Sequence, residues 1–276
     1  MIRASFAKMS GAGNDFVLID RSLRNFSRPG SALATRLCSR RHSIGADGLL
    51  IVRRGAPGGL PAVDYYNADG SKAFCANGTR CAAWWMHAHG WVGKRLTLKT
   101  LCGHVDAEVA GREKIRLRMP LPRNIRWNLR LSAAGRAWVL HAIEVGVPHA
   151  VVMLAAKDLE GFPVVAIGRA LRNHLSFRPR GTNVNFMLPP QARSDRKVLR
   201  IRTYERGVED ETLACGTGAL ACAFCAHFLH GRPSPIRVVT QGGDILTADF
   251  KMAQGRLKEA WLEGPARITF QGEVTL

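Results

Sequence analysis

One short pattern occurs twice in this chain, and any fold must accommodate both copies. In the second copy an alternating run (Val198, Arg200, Ile201, Arg202, Tyr204) reads as a strand. An ion-pair-capable turn, Glu205-Arg206-Gly207, follows. Cys215-Gly216-Thr217-Gly218 then opens a helix of small residues, from Gly216 to about His227. In the first copy a β-rich run, Val63 to Tyr66, passes through Asn67-Ala68-Asp69-Gly70. It reaches Cys75-Ala76-Asn77-Gly78 and a helix-prone segment from about Thr79 to His87. The cysteines lie 215 − 75 = 140 positions apart in a chain of 276 residues, about half its length. An internal duplication accounts for this most simply. It predicts two similar lobes, each presenting a cysteine-bearing helix start to a shared cleft.

The residues around each cysteine carry chemistry. The first N–H groups of a helix have no acceptor within it, so each start can hold an anion and favours negative charge on a side chain seated there. A reactive thiol beside an anion hole is one reading. A structural cysteine capping a buried helix is the other, and either stretch alone leaves both open. Two facing thiols would suit inversion of a stereocentre, with a base on one face of the carbon and an acid on the other. Helix N-termini aimed at an α-carboxylate would stabilise the carbanion without a metal or pyridoxal cofactor.

Six stretches, with a closing seventh, give these pieces a family likeness. They are Met9-Ser10-Gly11-Ala12-Gly13-Asn14-Asp15-Phe16, Gly45-Ala46-Asp47-Gly48, and Tyr66 to Ser71 running into Cys75 to Cys81. Gly146-Val147-Pro148-His149, Gly181-Thr182-Asn183-Val184-Asn185-Phe186, Glu205 to Gly218 and the closing Leu262 to Ala266 complete the set. In this order, along nearly the whole chain, they resemble the diaminopimelate epimerase family.

That resemblance implies an α+β fold of two pseudo-symmetric lobes, each a β-barrel-like sheet around a central helix. It places residues 1–120 and a returning strand, 265–276, in one lobe and 121–264 in the other. It implies a cofactor-independent isomerase that interconverts LL- and meso-diaminopimelate, in lysine and peptidoglycan precursor biosynthesis. Cys75 and Cys215 become the acid/base pair, with His149 and Glu205 at the reacting end. Ala76, Asn77, Gly216 and Thr217 hold the reacting carboxylate through backbone N–H groups. Asn14, Asn67, Asn183 and Arg206 bind the distal end, where the planar guanidinium of Arg206 suits a carboxylate. A small amino-acid substrate, a cytoplasmic homodimer, no cofactor, no metal, no membrane and no nucleic acid complete the expectation.

Three positions depart from the family pattern: Ala76 replaces the commonest glycine, Val147 a common asparagine, and Val208-Glu209-Asp210 is one residue longer than the shortest versions. A racemase of the same fold acting on proline, hydroxyproline or histidine is the alternative within enzymes. The phenazine-type isomerases of this fold lack the two-cysteine pair.

Composition narrows the remaining classes. A hydrophobic share of 46% with 22% charged residues fits a globular chain of about two domains. Met1 to Lys8 contains no apolar h-region, and no apolar run approaches membrane-spanning length, so a soluble cytoplasmic protein is expected. Seven cysteines, an odd number, suggest reduced thiols. Cys222-x-x-Cys225 with His227 and His230 lies in one helix, where the four side chains diverge and fit packing better than zinc. A net charge of +19 raises nucleic-acid binding as a second class. The basic clusters (Arg40 to His42, Arg53-Arg54, Arg112 to Arg118, Arg193 to Arg202) are scattered, however, and aromatics make up only 7%.

Many short strands are expected, with one prominent helix per half and no βαβ repeat. Lys8 to Asp20 reads as a hairpin, Ala32 to Cys38 as helix, and Leu49 to Val52 as a buried strand. Further strands are read at Leu96 to Thr100, Gly103 to Val109, Ile115 to Met119, Val139 to Glu144, Ala150 to Leu154 and Asn183 to Leu188. The last are Arg237 to Thr240, Ile245 to Phe250 and Arg267 to Phe270. Gly55 to Pro61 is a loop, and Leu171 to His174 closes a short helix. Pro120-Leu121-Pro122 marks a lobe boundary, and Arg123 to Arg136 has no clear pattern.

Overall fold

A computed structural model describes residues 3–21, 28–155, 159–188 and 198–276. The basic stretch at 193–197 lies outside them. The chain forms two compact units, Met1–Arg118 with Glu263–Leu276, and Met119–Leu262.

The first unit runs β1 (Arg3–Gly11), β2 (Asn14–Asp20), α1 (Gly30–Leu37), β3 (Gly48–Arg53), β4 (Ala62–Asn67), β5 (Lys72–Ala73), α2 (Ala76–Ala88), β6 (Arg95–Thr100), β7 (Gly103–Gly111) and β8 (Lys114–Met119). The second runs β9 (Arg123–Ala133), β10 (Arg136–Val145), β11 (Val147–Met153), α3 (Val164–Arg172), β12 (Asn183–Leu188), β13 (Val198–Glu205), β14 (Asp210–Thr212), α4 (Gly216–His230), β15 (Ile236–Val239) and β16 (Ile245–Ala253). β17 (Arg256–Pro265) carries the chain back into the first unit, and β18 (Arg267–Thr275) pairs antiparallel with β1.

The two topologies repeat. β1–β2 is antiparallel and β2–β3 parallel across α1, as β10–β11 is antiparallel and β11–β12 parallel across α3. β3–β4 and β4–β5 match β12–β13 and β13–β14, all antiparallel. β4–β6, parallel across α2, matches β13–β15, parallel across α4. The fold is α+β, and in each unit strands surround one helix. α2 packs on β1, β2, β3, β4, β7 and β18, and α4 on β10, β11, β12, β13, β15 and β16.

The second helix of each unit covers the other face of the sheet. Val17, Ile19, Leu49 and Ile51 form a core with Leu33, Ala34 and Leu37 of α1. Phe16 and Leu50 lie beside Gly78 of α2. Strands buried on both faces read as continuous apolar runs rather than alternating ones. In the second unit Ala150, Val152, Val184 and Phe186 pack in the core that includes Val164 and Leu171 of α3. Alternation turns His149, Val151, Asn183 and Asn185 to the other face, towards α4. Among the described residues no helix is long and apolar enough to cross a membrane.

Several expectations need correction. Arg123 to Arg136 is not patternless: it holds an 11-residue strand, β9. Asn124 and Asn128 take positive φ, and the pairing to β10 shifts register twice, so bulges break the period-two signal. α3, by contrast, closes at Arg172, inside the Leu171 to His174 stretch read as a helix end, and begins at Val164 behind Pro163, which offers no side-chain cap. β17 was unmarked because its inward positions are Ala260, Leu262 and Gly264, two of them too small to signal a core face. Each unit contains a βαβ crossover, which the sequence did not suggest.

Candidate active site

In both units the cysteine occupies the same local structure. Cys75 is the N-cap of α2 with φ −134° and ψ 114°, and Cys215 the N-cap of α4 with φ −123° and ψ 109°. Both backbone carbonyls accept the first helical bond, from Thr79 and Ala219 at 2.9 Å. The Cys75 thiol accepts from the Gly78 N–H at 3.4 Å, and Cys215 Sγ lies 3.6 Å from Thr217 Oγ1. Ala76-Asn77 and Gly216-Thr217 are therefore first-turn residues, whose N–H groups lack intrahelical acceptors. Ala76 is not among the positive-φ residues, so its methyl group adds no backbone strain there. Cys75 is half-buried and Cys215 is 5% exposed.

The first unit assembles a polar row next to Cys75. Asn77 Nδ2 donates to Asn14 Oδ1 at 2.7 Å, and Asn14 Nδ2 donates to Asp47 Oδ2 at 3.0 Å. Asn67 stands at the end of β4, where it accepts from Tyr65 and donates to Ser71. Behind Asn14, Asp15 pairs with Lys8 (2.8 Å) and Arg40 (2.8 Å). Burial raises the Asp15 pKa, but the Arg40 and Lys8 hydrogen bonds outweigh it and hold it down at about 2.

The second unit gathers more of the predicted residues. Asn183 Oδ1 accepts from the Arg206 backbone N–H at 2.8 Å, and Arg206 Nη1 donates to the Arg180 carbonyl at 3.0 Å. Glu205 Oε2 accepts from Thr212 Oγ1 at 3.0 Å, and burial raises the Glu205 pKa. The lengthened turn is pinned by Glu209, whose carboxylate accepts from Gly207 N–H, Arg172 and Tyr204.

Asn185, to which the sequence assigns no role, is the hub of this side. Its Nδ2 donates to the Ala150 carbonyl at 3.2 Å and meets His149 Nδ1 at 3.1 Å, and its Oδ1 accepts from Thr203 at 3.0 Å. A Cβ built on Gly218 would sit 2.2 Å from that Oδ1. The signal was the i, i+2 spacing of Asn183 and Asn185, which puts both on the face turned to α4.

The carbonyl of Ala150 can only accept, so the NH₂ end of Asn185 must face it and His149 Nδ1 must be unprotonated. The proton of neutral His149 then lies on Nε2, a buried atom with no hydrogen-bond partner among the described residues. Burial, helped by the positive Arg206, lowers the His149 pKa from 6.5 to about 3. This has a consequence for stability. Between pH 6.5 and about 3 the unfolded chain binds a proton that the native protein refuses, so stability falls as pH drops through that window, by up to ~1.4 kcal/mol per pH unit. Replacing His149 by Gln should flatten this part of the curve in denaturant titrations at a series of pH values. An unchanged slope would place the titration elsewhere.

A cavity of ≈ 450 Å³ opens in the second unit beside His149, lined by Glu144, Arg126, Arg178 and Arg180 among others. Glu144 accepts from Arg123 and Asn124, which hold its pKa down. Much of the basic charge is paired in this way: Arg40 with Asp15 and Asp47, Arg53 with Asp64, Arg116 with Glu108, and Arg202 with Glu211. Cys222, Cys225, His227 and His230 all lie in α4, the two cysteines fully buried and the histidines facing Arg232 O and Met153 Sδ. No group of three metal-binding side chains forms among the described residues.

With this geometry in place, comparison with known proteins decides the family. The family model of diaminopimelate epimerase matches residues 6–122 and 141–268. The chain belongs to the diaminopimelate epimerase family. Diaminopimelate epimerases of Aquifex aeolicus and Chlorobaculum tepidum are 37% and 38% identical to it, over 98% and 97% of this chain and 97% and 100% of theirs. Among solved structures, a phenazine biosynthesis protein of the PhzF family from Bacillus anthracis gives a TM-score of 0.74 at 13% identity, with both chains fully covered. A probable proline racemase from Agrobacterium radiobacter gives 0.71 at 16%, over 99% of this chain and 93% of that one. At these identities the structures attest the fold alone. The family's two-lobed α+β architecture is the one described above.

Proposed function

We propose that this protein interconverts LL- and meso-diaminopimelate without a cofactor, as an isomerase of lysine and peptidoglycan precursor biosynthesis. The observation that carries the reading is the pair of cysteine N-caps with nearly the same backbone angles, in a chain of this family. One thiolate takes the α-proton from one face of the carbon. The other thiol gives its proton to the opposite face, so the configuration inverts and the two sulfurs exchange protonation states. Solvent exchange resets them.

The α-carboxylate would be held by the N–H groups of Ala76, Asn77, Gly216 and Thr217, where helix dipoles stabilise the charge that grows in the transition state. Asn14, Asn67, Asn183 and the Arg206 guanidinium would bind the distal amino-acid end. Neutral His149 could donate from Nε2 at the reacting end, and Glu205 could accept the α-ammonium. The likeness extends the proposal to a cytoplasmic homodimer whose lobes are bounded near residues 120 and 265.

The test is a panel of single-isomer substrates followed by chiral chromatography under reducing conditions. LL-diaminopimelate should be converted to the meso form, while L-proline, trans-4-hydroxy-L-proline and L-histidine should remain unchanged. Inversion of one of these, with diaminopimelate inert, would move the protein to another substrate of the same fold.

A further inference from the structure

Asn14 sits inside a hydrogen-bonded chain whose two termini are not interchangeable. At one end Asp47 offers only acceptors, through Oδ2 to Asn14 Nδ2 at 3.0 Å. At the other the buried guanidinium of Arg80 offers only donors, giving 2.5 Å to Asn77 Oδ1. Between them Asn77 Nδ2 donates to Asn14 Oδ1 at 2.7 Å. Neither amide can flip without setting oxygen against oxygen at Asp47 or nitrogen against nitrogen at Arg80. The chain thus fixes which atoms Asn14 can still offer: one N–H and one lone pair.

Asp47 is itself held. Its Oδ1 accepts from Arg40 Nη2 at 2.7 Å, and the same guanidinium forks onto Asp15 at 2.8 and 3.0 Å. The two aspartates exchange backbone bonds: Asp15 N–H to Asp47 Oδ2 at 3.2 Å and Asp47 N–H to Asp15 Oδ1 at 2.9 Å. Without Arg40 the adjacent carboxylates would repel, with Lys8 pairing only Asp15. We infer that Arg40 and Asp47 are positioning residues for the distal end of the substrate: they set the orientation of the Asn14 amide, and through Asn77 they couple it to the first turn of the Cys75 helix. This rests on the diaminopimelate reading and adds two residues to it.

The experiment compares kcat and KM for LL-diaminopimelate and for L-2-aminoheptanoate, which lacks the distal amino-acid end, in the native protein, Arg40→Met, Arg40→Lys and Asp47→Asn. The expected result for Arg40→Met is a KM for diaminopimelate raised about 10-fold, the worth of one charge-assisted hydrogen bond, with kcat little changed. Its preference for diaminopimelate over the truncated analogue should fall by the same factor. Arg40→Lys should recover part of both effects, and Asp47→Asn, which keeps an acceptor but loses the charge, should fall between. An unchanged KM, or equal losses on both substrates, would reduce Arg40 to a structural ion pair and overturn the assignment. If Arg40→Met does not fold, Asp47→Asn decides by the same criteria. A native protein inert towards diaminopimelate would instead overturn the reading beneath it, and the assignment with it.

Discussion

Replacing Cys75 or Cys215 by alanine is expected to lower epimerisation by about 10²–10⁴-fold each, the usual contribution of a positioned acid or base. The double variant should be little worse than either single one, because the pair acts as a unit. Each cysteine is the N-cap residue of a helix whose first N–H groups can hold a carboxylate, so truncating the side chain removes the proton carrier and leaves the anion site. Binding should therefore survive: KM or inhibitor affinity should change far less than kcat. Each single variant should also keep slow α-proton exchange in only one isomer, the one whose proton faces the surviving thiol. If either variant inverts diaminopimelate at the native rate, the two-thiol scheme fails. Far-ultraviolet circular dichroism would check that neither change disturbs the fold.

The second large effect is expected at Gly218. A Cβ there would lie 2.2 Å from Asn185 Oδ1 and 3.3 Å from Cys215 Sγ. Asn185 cannot retreat cheaply, since Ala150, His149 and Thr203 hold it in a buried site. Gly218→Ala should therefore cost about 1–3 kcal/mol of stability, the usual range for overpacking a closed core. It should also impair catalysis, because the displaced neighbours are Cys215 itself and Asn185, which holds His149. A contrast is Gly58, which has positive φ but open space around it: alanine there strains the backbone without touching these groups. Chemical denaturation and initial rates on both variants would separate the two effects. A Gly218→Ala protein with native stability and rate would mean that α4 does not need this close approach.

What the sequence revealed follows from which signals are local. The cysteine N-caps were legible because Cys-Ala-Asn-Gly and Cys-Gly-Thr-Gly are contiguous, and small residues after a cap are a local signal of a close, anion-ready helix start. The twofold topology was legible through the spacing of those motifs. Networks were not. Asp47 meets Asn14, and Arg40 meets Asp15 and Asp47, only because β2 and β3 lie side by side across α1, and no periodicity announces that. Asn185 looked like one more polar residue in an otherwise buried strand. β9 was hidden by its bulges and β17 by its small inward residues, since a period-two pattern needs both regularity and bulky side chains to be seen.

The central claim is that two different groups handle the proton on the two faces of the α-carbon. It is tested most directly by converting LL-diaminopimelate in D₂O and stopping early. Two-base inversion predicts meso product carrying one solvent deuterium at the inverted carbon, while recovered LL substrate remains largely unlabelled. Equal deuterium in recovered substrate and product, or product that retains the original proton, would contradict it and point to a single base serving both faces.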